Sequence, residues 1–187
     1  TTQKTMEITN KTLNISKERN IVRLKKRDML QREGEITTKA FYVKKGLLRS
    51  YTIDDNGKEH IFMFAPREWV IADLESQEFN RPTKLFIDCI EDSEVIILDR
   101  NTGIKTELNV DNLKIRINLL SRRIAVLQRR VLLLMSSNAR ERYELFLETY
   151  PNMVKRVPQR MIASYLGVTP QALSSIHGKI KKMPKNP

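Results

Sequence analysis

Cysteine occurs once in this chain, at Cys89, and histidine twice, at His60 and His177. A lone thiol cannot close an internal disulfide, nor supply the several thiolates that an iron–sulfur cluster needs. With so few soft ligands no metal site is expected, and no Ser/His/Asp, Cys/His or glycine-rich phosphate-loop arrangement is present. The expectation is a protein that is not an enzyme and has no resident cofactor. Long apolar runs are missing too: the best, Val131 to Met135, is short and follows Arg129 and Arg130, which excludes a membrane-spanning helix. The opening TTQKTMEITNK has no apolar core of the kind a signal peptide carries, so a cytoplasmic location and no membrane partner are expected. Acids are absent from the end of the chain: Pro158 to Pro187 holds Arg160, Lys179, Lys181, Lys182 and Lys185 but no Asp or Glu.

What is present fits a packed chain with a divided charge. Of 187 residues, 40% are apolar and 30% charged, the balance of a globular protein. The net charge of +12 is unevenly held: residues 1–99 carry 17 basic and 17 acidic side chains, whereas residues 100–187 carry 17 and 5. A neutral half joined to a basic half reads as a sensing module attached to a part that meets a polyanion.

The neutral half has the grammar of short strands. Lys39 to Val43 and Leu47 to Ile53 are rich in aromatic and branched residues, Asp54-Asp55-Asn56-Gly57 is a turn signal, and His60 to Phe64 resumes the apolar run. Leu85, Ile87 and Cys89 then alternate with Phe86, Asp88 and Ile90, and Glu91-Asp92 separates them from Val95 to Leu98. Such spacing predicts an antiparallel roll or sandwich of jelly-roll type, with no helical period before Arg100.

Beyond Arg100 the period changes. Leu113, Ile117, Leu120, Ile124, Leu127, Val131 and Leu134 follow one another at alternating steps of 4 and 3, a heptad seam over ~6 turns of helix. A second apolar line, Ile115, Leu119, Val126 and Leu133, lies beside it. The seam predicts a dimerisation helix and a parallel homodimer; the plain alternative is that both lines are buried within one monomer. Asn138-Ala139-Arg140-Glu141 then has the spacing of a helix-start cap, with Tyr143, Phe146 and Leu147 as the apolar face of a helix ending near Tyr150-Pro151. A break is expected at Ser136 to Asn138.

The stretch MIASYLGVTPQALSSI, Met161 to Ile176, carries the most specific pattern. Ile162, Ala163 and Leu166 form the inward face of one helix, Gly167 stands where the chain must turn sharply, and Val168 fills the corner. Thr169 is a good N-cap and Pro170 suits the first position of the next helix, whose Leu173, Ile176 and Ile180 pack back on the first. The small Ala163, four residues before the turn glycine, lets the two helices cross closely. This is a helix-turn-helix pattern. Its outward face, Thr169, Pro170, Gln171, Ser174, Ser175 and Gly178, is short or polar and free to enter a major groove.

The order of hairpin strands, long helix and PQRMIASYLGVTPQALSSI resembles the Crp/Fnr family of bacterial transcription regulators, as do KKGLLRSYTIDDNGKEHIFMF and the WVIADLES segment. The resemblance covers roughly residues 20 to 182. It implies an α+β chain: a poorly defined segment 1–18, a cyclic-nucleotide-binding-type β-roll at 19–110, a dimerisation helix and hinge at 111–137, and a winged helix-turn-helix domain at 138–187. It also implies three partners: double-stranded DNA, a second copy of the chain, and RNA polymerase.

Two departures from the family pattern set the functional expectations. Nucleotide-binding members cradle the cyclic phosphate with a Gly-Glu pair and an Arg followed by Ser or Thr. Here the comparable positions are Ala72 and Asp73, then Arg81, Pro82 and Thr83, with Leu127 and Gln128 where the helix would offer hydroxyls to a purine. Asp73 sets a negative charge near any phosphate and Pro82 removes a backbone donor, so cyclic AMP is not expected to bind. An effector pocket, if used, would draw on Ala72, Asp73, Arg81, Thr83 and Gln128. In the recognition helix, positions that often carry Arg and Glu hold Pro170 and Gln171, and a later Arg position holds Ser175. That predicts a site read through Gln171, Ser174 and Ser175 and richer in A·T, with Arg160, Lys179 and Lys182 on the phosphates and Lys155 and Arg156 nearby. The competing reading is a small-molecule-sensing or interaction protein that no longer uses its helix-turn-helix on DNA, for which His177, Gly178 and Ser175 are the signs.

Overall fold

The computed structural model describes residues 21–99 and 110–182. Its first part is built from β1 (Ile21–Leu24), β2 (Met29–Gln31), β3 (Lys39–Lys45), β4 (Leu47–Ile53), β5 (Glu59–Pro66), β6 (Val70–Ile71), a short helix α1 (Leu74–Phe79), β7 (Phe86–Cys89) and β8 (Ser93–Asp99). Helices follow: α2 (Val110–Ser136), α3 (Ala139–Thr149), a 3-10 turn (Met153–Lys155), α4 (Gln159–Leu166) and α5 (Pro170–Lys182). The strands make two four-stranded sheets, ordered β1-β8-β3-β6 and β2-β7-β4-β5. The expected α+β architecture, an antiparallel roll followed by a long helix and a helix-turn-helix, is what the chain forms. The wing of the expected winged domain is not among the described residues, and residues 1–18 lie outside them.

Both sheets contribute alternate residues to one core. Phe41 and Val43 of β3, Ile71 of β6 and Val95 of β8 meet Leu48 of β4, Ala65 of β5, and Ile87 and Cys89 of β7. The core residues follow the period-two alternation of strands, while both faces of β3 and β4 are covered, since Phe41 to Val43 and Leu47 to Tyr51 are buried without interruption. Cys89 is buried here, and loss of water pushes its thiol up to about 11, so it is packing rather than a reactive group. The turn from β3 to β4 admits only glycine: Gly46 has φ +100°, and a Cβ at that point would stand 2.2 Å from Ser93 Oγ.

The hairpin of β4 and β5 closes through Asp54, which accepts from the backbone N–H of Asn56 and Lys58, each at 3.0 Å, and bonds His60 Nε2 at 2.8 Å. The His60 hydrogen bond, with help from Lys58, holds the Asp54 carboxyl below its usual range. The short helix α1 corrects the expectation that nothing helical precedes Arg100. It is too brief to show a period, and what makes it a helix is its cap, Asp73, and the left-handed Asn80 that ends it.

The chain divides into two compact units, one from the described parts of Thr1–Thr52 and Phe62–Arg122, the other from Ile53–Ile61 with the described part of Arg123–Pro187. In the first unit the other face of β4 and β7 carries a buried ion pair. Arg49 and Asp88 are register partners, joined by two hydrogen bonds, Nε to Oδ1 at 2.7 Å and Nη2 to Oδ2 at 2.8 Å. The guanidinium lies 4.0 Å over the ring of Tyr51, itself stacked on Phe86 at 5.3 Å. Removing one partner strands a desolvated charge. Arg49→Met should therefore cost ~3–5 kcal/mol in urea unfolding, while Arg49→Met with Asp88→Leu recovers most of it. A loss below ~1 kcal/mol for the single variant would mean that water reaches the pair.

Candidate nucleic-acid interface

The helix-turn-helix is built within the second unit. Asn138 caps α3 through a reciprocal box with Glu141, as the sequence predicted, and Tyr143 and Phe146 are buried beneath it. Phe146 lies 5.5 Å from Tyr165 of α4 and 5.3 Å from Tyr150, an aromatic cluster that holds α3 against α4. Helix α4 buries Ile162, Ala163 and Leu166 and ends at Gly167, which has φ 66° and whose N–H reaches back to Ala163 and Ser164. Left-handed backbone there lets the chain reverse without a Cβ penalty. Thr169 then accepts from the N–H of Ala172 at 3.2 Å, and Leu173 is buried against α4. Ile176 and Val168 are half-buried, and the side chain of Ile180 lies outside the described residues.

The nominated reading face is fully turned outward. Thr169, Pro170, Gln171, Ser174, Ser175, Gly178 and Lys179 are exposed, as are Arg160, Lys155 and Arg156, while the side chain of Lys182 lies outside the described residues. His177 is accounted for structurally: its Nδ1 lies 3.3 Å from the Tyr143 hydroxyl, so it ties α5 to α3.

Three further residues were not singled out from the sequence. Arg142 of α3 donates from Nε and Nη2 to the carbonyl of Ser137, at 3.2 and 3.0 Å, and from Nη1 to the carbonyl of Leu166 at 3.0 Å. Ser164 of α4 accepts from the N–H of Ile61 at 2.9 Å and donates to the carbonyl of Glu59 at 2.7 Å, which places the hairpin tip in this unit. Arg130 of α2 lies 4.1 Å over the Tyr165 ring and donates to the carbonyls of Ile61 and Tyr165, each at 3.4 Å. No local spacing announces most of these bonds, because all but the two to the Ser137 carbonyl join residues far apart in sequence.

Of the nominated effector residues, Asp73 and Thr83 are hydrogen-bonded to each other. Asp73 is buried, and its Oδ1 accepts from the N–H groups of Glu75 at 3.0 Å and Ser76 at 3.1 Å, while its Oδ2 takes the hydroxyl of Thr83. Thr83 in turn accepts from Gln31 Nε2 at 3.0 Å. The Asp73 carboxylate therefore caps α1 and ties it to the loop that carries Thr83. Arg81 is exposed, with its guanidinium 5.7 Å over Phe79, and Ala72 is buried. Gln128 is exposed on α2. Among the described residues no His, Cys, Asp and Glu cluster could hold a metal ion, and no helix is long and apolar enough to cross a membrane.

The comparisons with known proteins follow this geometry. Residues 21–103 match the family model of the cyclic nucleotide-binding domain. Over 180 residues, 86% of this chain, the sequence is 28% identical to an anaerobic regulatory protein of Haemophilus influenzae. The structure is similar to that of FixK2 from Bradyrhizobium japonicum, with a TM-score of 0.71 at 21% identity over 88% of this chain and 85% of that one. It is also similar to a transcriptional regulator of the CRP/FNR family from Thermus thermophilus, with a TM-score of 0.65 at 16% identity over 87% and 86%. The chain is thus similar to Crp/Fnr proteins in its first part by sequence and in its fold by structure. Its roll, long helix and helix-turn-helix follow one another along the chain in that order. It spans 66% of the length of its Haemophilus relative.

Gly178 stands in the middle of α5, and nothing lies within 4 Å of where its Cβ would be. Glycine in a helix interior costs ~1 kcal/mol relative to alanine. Gly178→Ala should raise stability by about that amount in urea unfolding; destabilisation would show that the backbone of α5 requires the glycine.

Proposed function

We propose that this chain is a sequence-specific DNA-binding transcriptional regulator that works as a homodimer on a palindromic site and does not depend on cyclic AMP. The observation that carries the reading is α5: a capped helix, crossed closely by α4 through the left-handed Gly167, that turns Gln171, Ser174 and Ser175 outward. No acid stands anywhere from Pro158 onward. A cation-edged helix of this kind suits a phosphate-lined major groove. Gln171 offers an amide to adenine, and the two serines accept or donate to several bases. Arg160 and Lys179 supply charge for the phosphates, with Lys182 at the end of the helix.

The dimer is supported by the seam on α2. Leu113, Ile117, Leu120, Ile124, Leu127, Val131 and Leu134 are 38% to 64% exposed in the single chain, far more apolar surface than a helix leaves in water without a partner. The 4, 3 spacing puts Ile117, Ile124 and Val131 at one core position of the heptad and the four leucines at the other. Branched residues at a and leucine at d favour two parallel strands. Val126, of the second apolar line, is exposed as well, and Leu133 is half-buried. The side chains of Ile115 and Leu119 lie outside the described residues.

Independence from cyclic AMP is supported by Asp73, whose carboxylate would have to leave three hydrogen bonds and then face a phosphate of its own sign.

Selection from random duplex DNA with ligand-free protein at two salt concentrations tests the reading. A palindrome with half-sites ~34 Å apart is expected, with binding that weakens steeply as salt rises. Gln171→Ala should relax the preference at one position of each half-site by ~1–3 kcal/mol, and Leu120→Glu should abolish both dimer and palindrome. Enrichment of nothing at either salt, or binding insensitive to salt, would instead favour a small-molecule sensor whose helix-turn-helix is a scaffold. Calorimetric binding of cyclic AMP at low micromolar concentration would overturn the effector part.

A further inference from the structure

Within the second unit, the turn of the helix-turn-helix meets the end of α2 at one side chain. A Cβ placed on Gly167, the residue after α4, would lie 3.5 Å from Arg142 Nη1 and 3.8 Å from Leu134 Cδ2. Leu134 stands in the last turn of the heptad seam and Arg142 in α3, so three helices converge there. Two of the Arg142 bonds hold the carbonyl of Ser137, the residue after α2, at 3.2 and 3.0 Å, and the third holds the carbonyl of Leu166, the last residue of α4, at 3.0 Å.

Packing around this fork is loose. A gap of about 20 Å3 lies among Leu133 and Leu134 of α2, Leu145 and Phe146 of α3 and Tyr165 of α4, room for roughly one water. Met135, beside Leu134, is 79% exposed. The second polar link from α2, Arg130, reaches the carbonyls of Ile61 and Tyr165 at the longer distance of 3.4 Å. Apolar burial has no preferred direction, whereas N–H···O bonds do. Three of them from one planar guanidinium therefore decide the angle at which α4 leaves α2.

We propose that Arg142 is a positioning residue for DNA recognition: its fork fixes the angle between the dimer helix and the pair α4 and α5, and so sets the half-site spacing that the dimer accepts. The inference rests on the DNA-binding reading above. Bases within a half-site are met by α5, whose own outward face does not include Arg142. What depends on Arg142 is how far apart the two copies of α5 are held. One base pair added between half-sites moves one of them by ~3.4 Å and turns it by roughly a tenth of a helical turn. A rigid dimer cannot follow that shift, and a loosened one can.

Spin labels at Ala125→Cys of α2 and Ser174→Cys of α5, both exposed positions, report the angle in the full chain without DNA. The background is Cys89→Ala, and labelled protein is diluted with unlabelled so that each dimer holds one labelled copy. Pulsed dipolar spectroscopy should give one narrow distance distribution for intact Arg142, and Arg142→Gln should broaden or shift it by more than that width. If Arg142→Gln is not folded by circular dichroism, Arg142→Lys, which keeps the charge and loses the fork, takes its place with the same expectation. On duplexes whose half-sites stand one base pair too far apart, the unaltered chain should bind about tenfold more weakly than on its selected site, a ratio worth ~1.4 kcal/mol. Arg142→Gln should lose most of that penalty and keep the base preference within each half-site. A broad distribution in the unaltered chain, an unchanged one in the folded variant, or an unchanged spacing penalty would each overturn the proposal. Absence of any DNA binding by the unaltered chain falls on the DNA-binding reading, whereas an unchanged distance distribution falls on the role of Arg142 alone.

Discussion

Two helices in this protein end with their carbonyl groups pointing at the same side chain. Helix α2 runs out at Ser136 and α4 at Leu166, and the guanidinium of Arg142 bonds the carbonyls of Ser137 and Leu166 at once. The last carbonyls of a helix are unsatisfied and carry the negative end of its dipole, so a cation there both fills the missing hydrogen bonds and offsets the field. Because Arg142 belongs to a third helix, itself fixed by the Asn138 and Glu141 box, one side chain sets the relation of α2, α3 and α4. The left-handed turn at Gly167 then sets α5. The reading face inherits its placement from that sequence of local constraints rather than from a large core.

The first unit depends on a different kind of closure. Its two sheets share one apolar layer, and the polar groups that cannot avoid burial are matched in pairs: Arg49 with Asp88, Asp73 with Thr83 and the first N–H groups of α1. The Asp73 carboxylate satisfies the first N–H groups of its own helix and the Thr83 hydroxyl at once.

How much of this could be read from sequence follows from the range of the interactions. The seam on α2, the cap at Asn138, the turn at Gly167 and the hairpin around Asp54 are all patterns within a few residues, and each is where the spacing put it. The brief strands β1 and β2 sit among charged residues and are too short to show alternation, and α1 has no full apolar stripe, so none of the three was legible. Asp73 was legible as a charge but not as the partner of Thr83, since that bond depends on a second loop closing over it. Arg130, Arg142 and Ser164 act across long sequence separations, and a composition or a period contains no trace of them.

The hairpin tip at Ile53–Ile61 has a consequence for the connectivity of the molecule. Since this tip is compact with residues 123 onward, the backbone passes from the first unit to the second at 52–53, returns at 61–62 and passes again at 122–123. No single scission separates the two units intact. A fragment ending before 123 keeps the tip and loses the Ser164 and Arg130 groups that bond it, and a fragment starting there loses the Ile61 carbonyl that Arg130 engages. The two halves of the chain differ in charge and period like separate modules, yet the second unit takes part of its backbone from within the first half of the sequence.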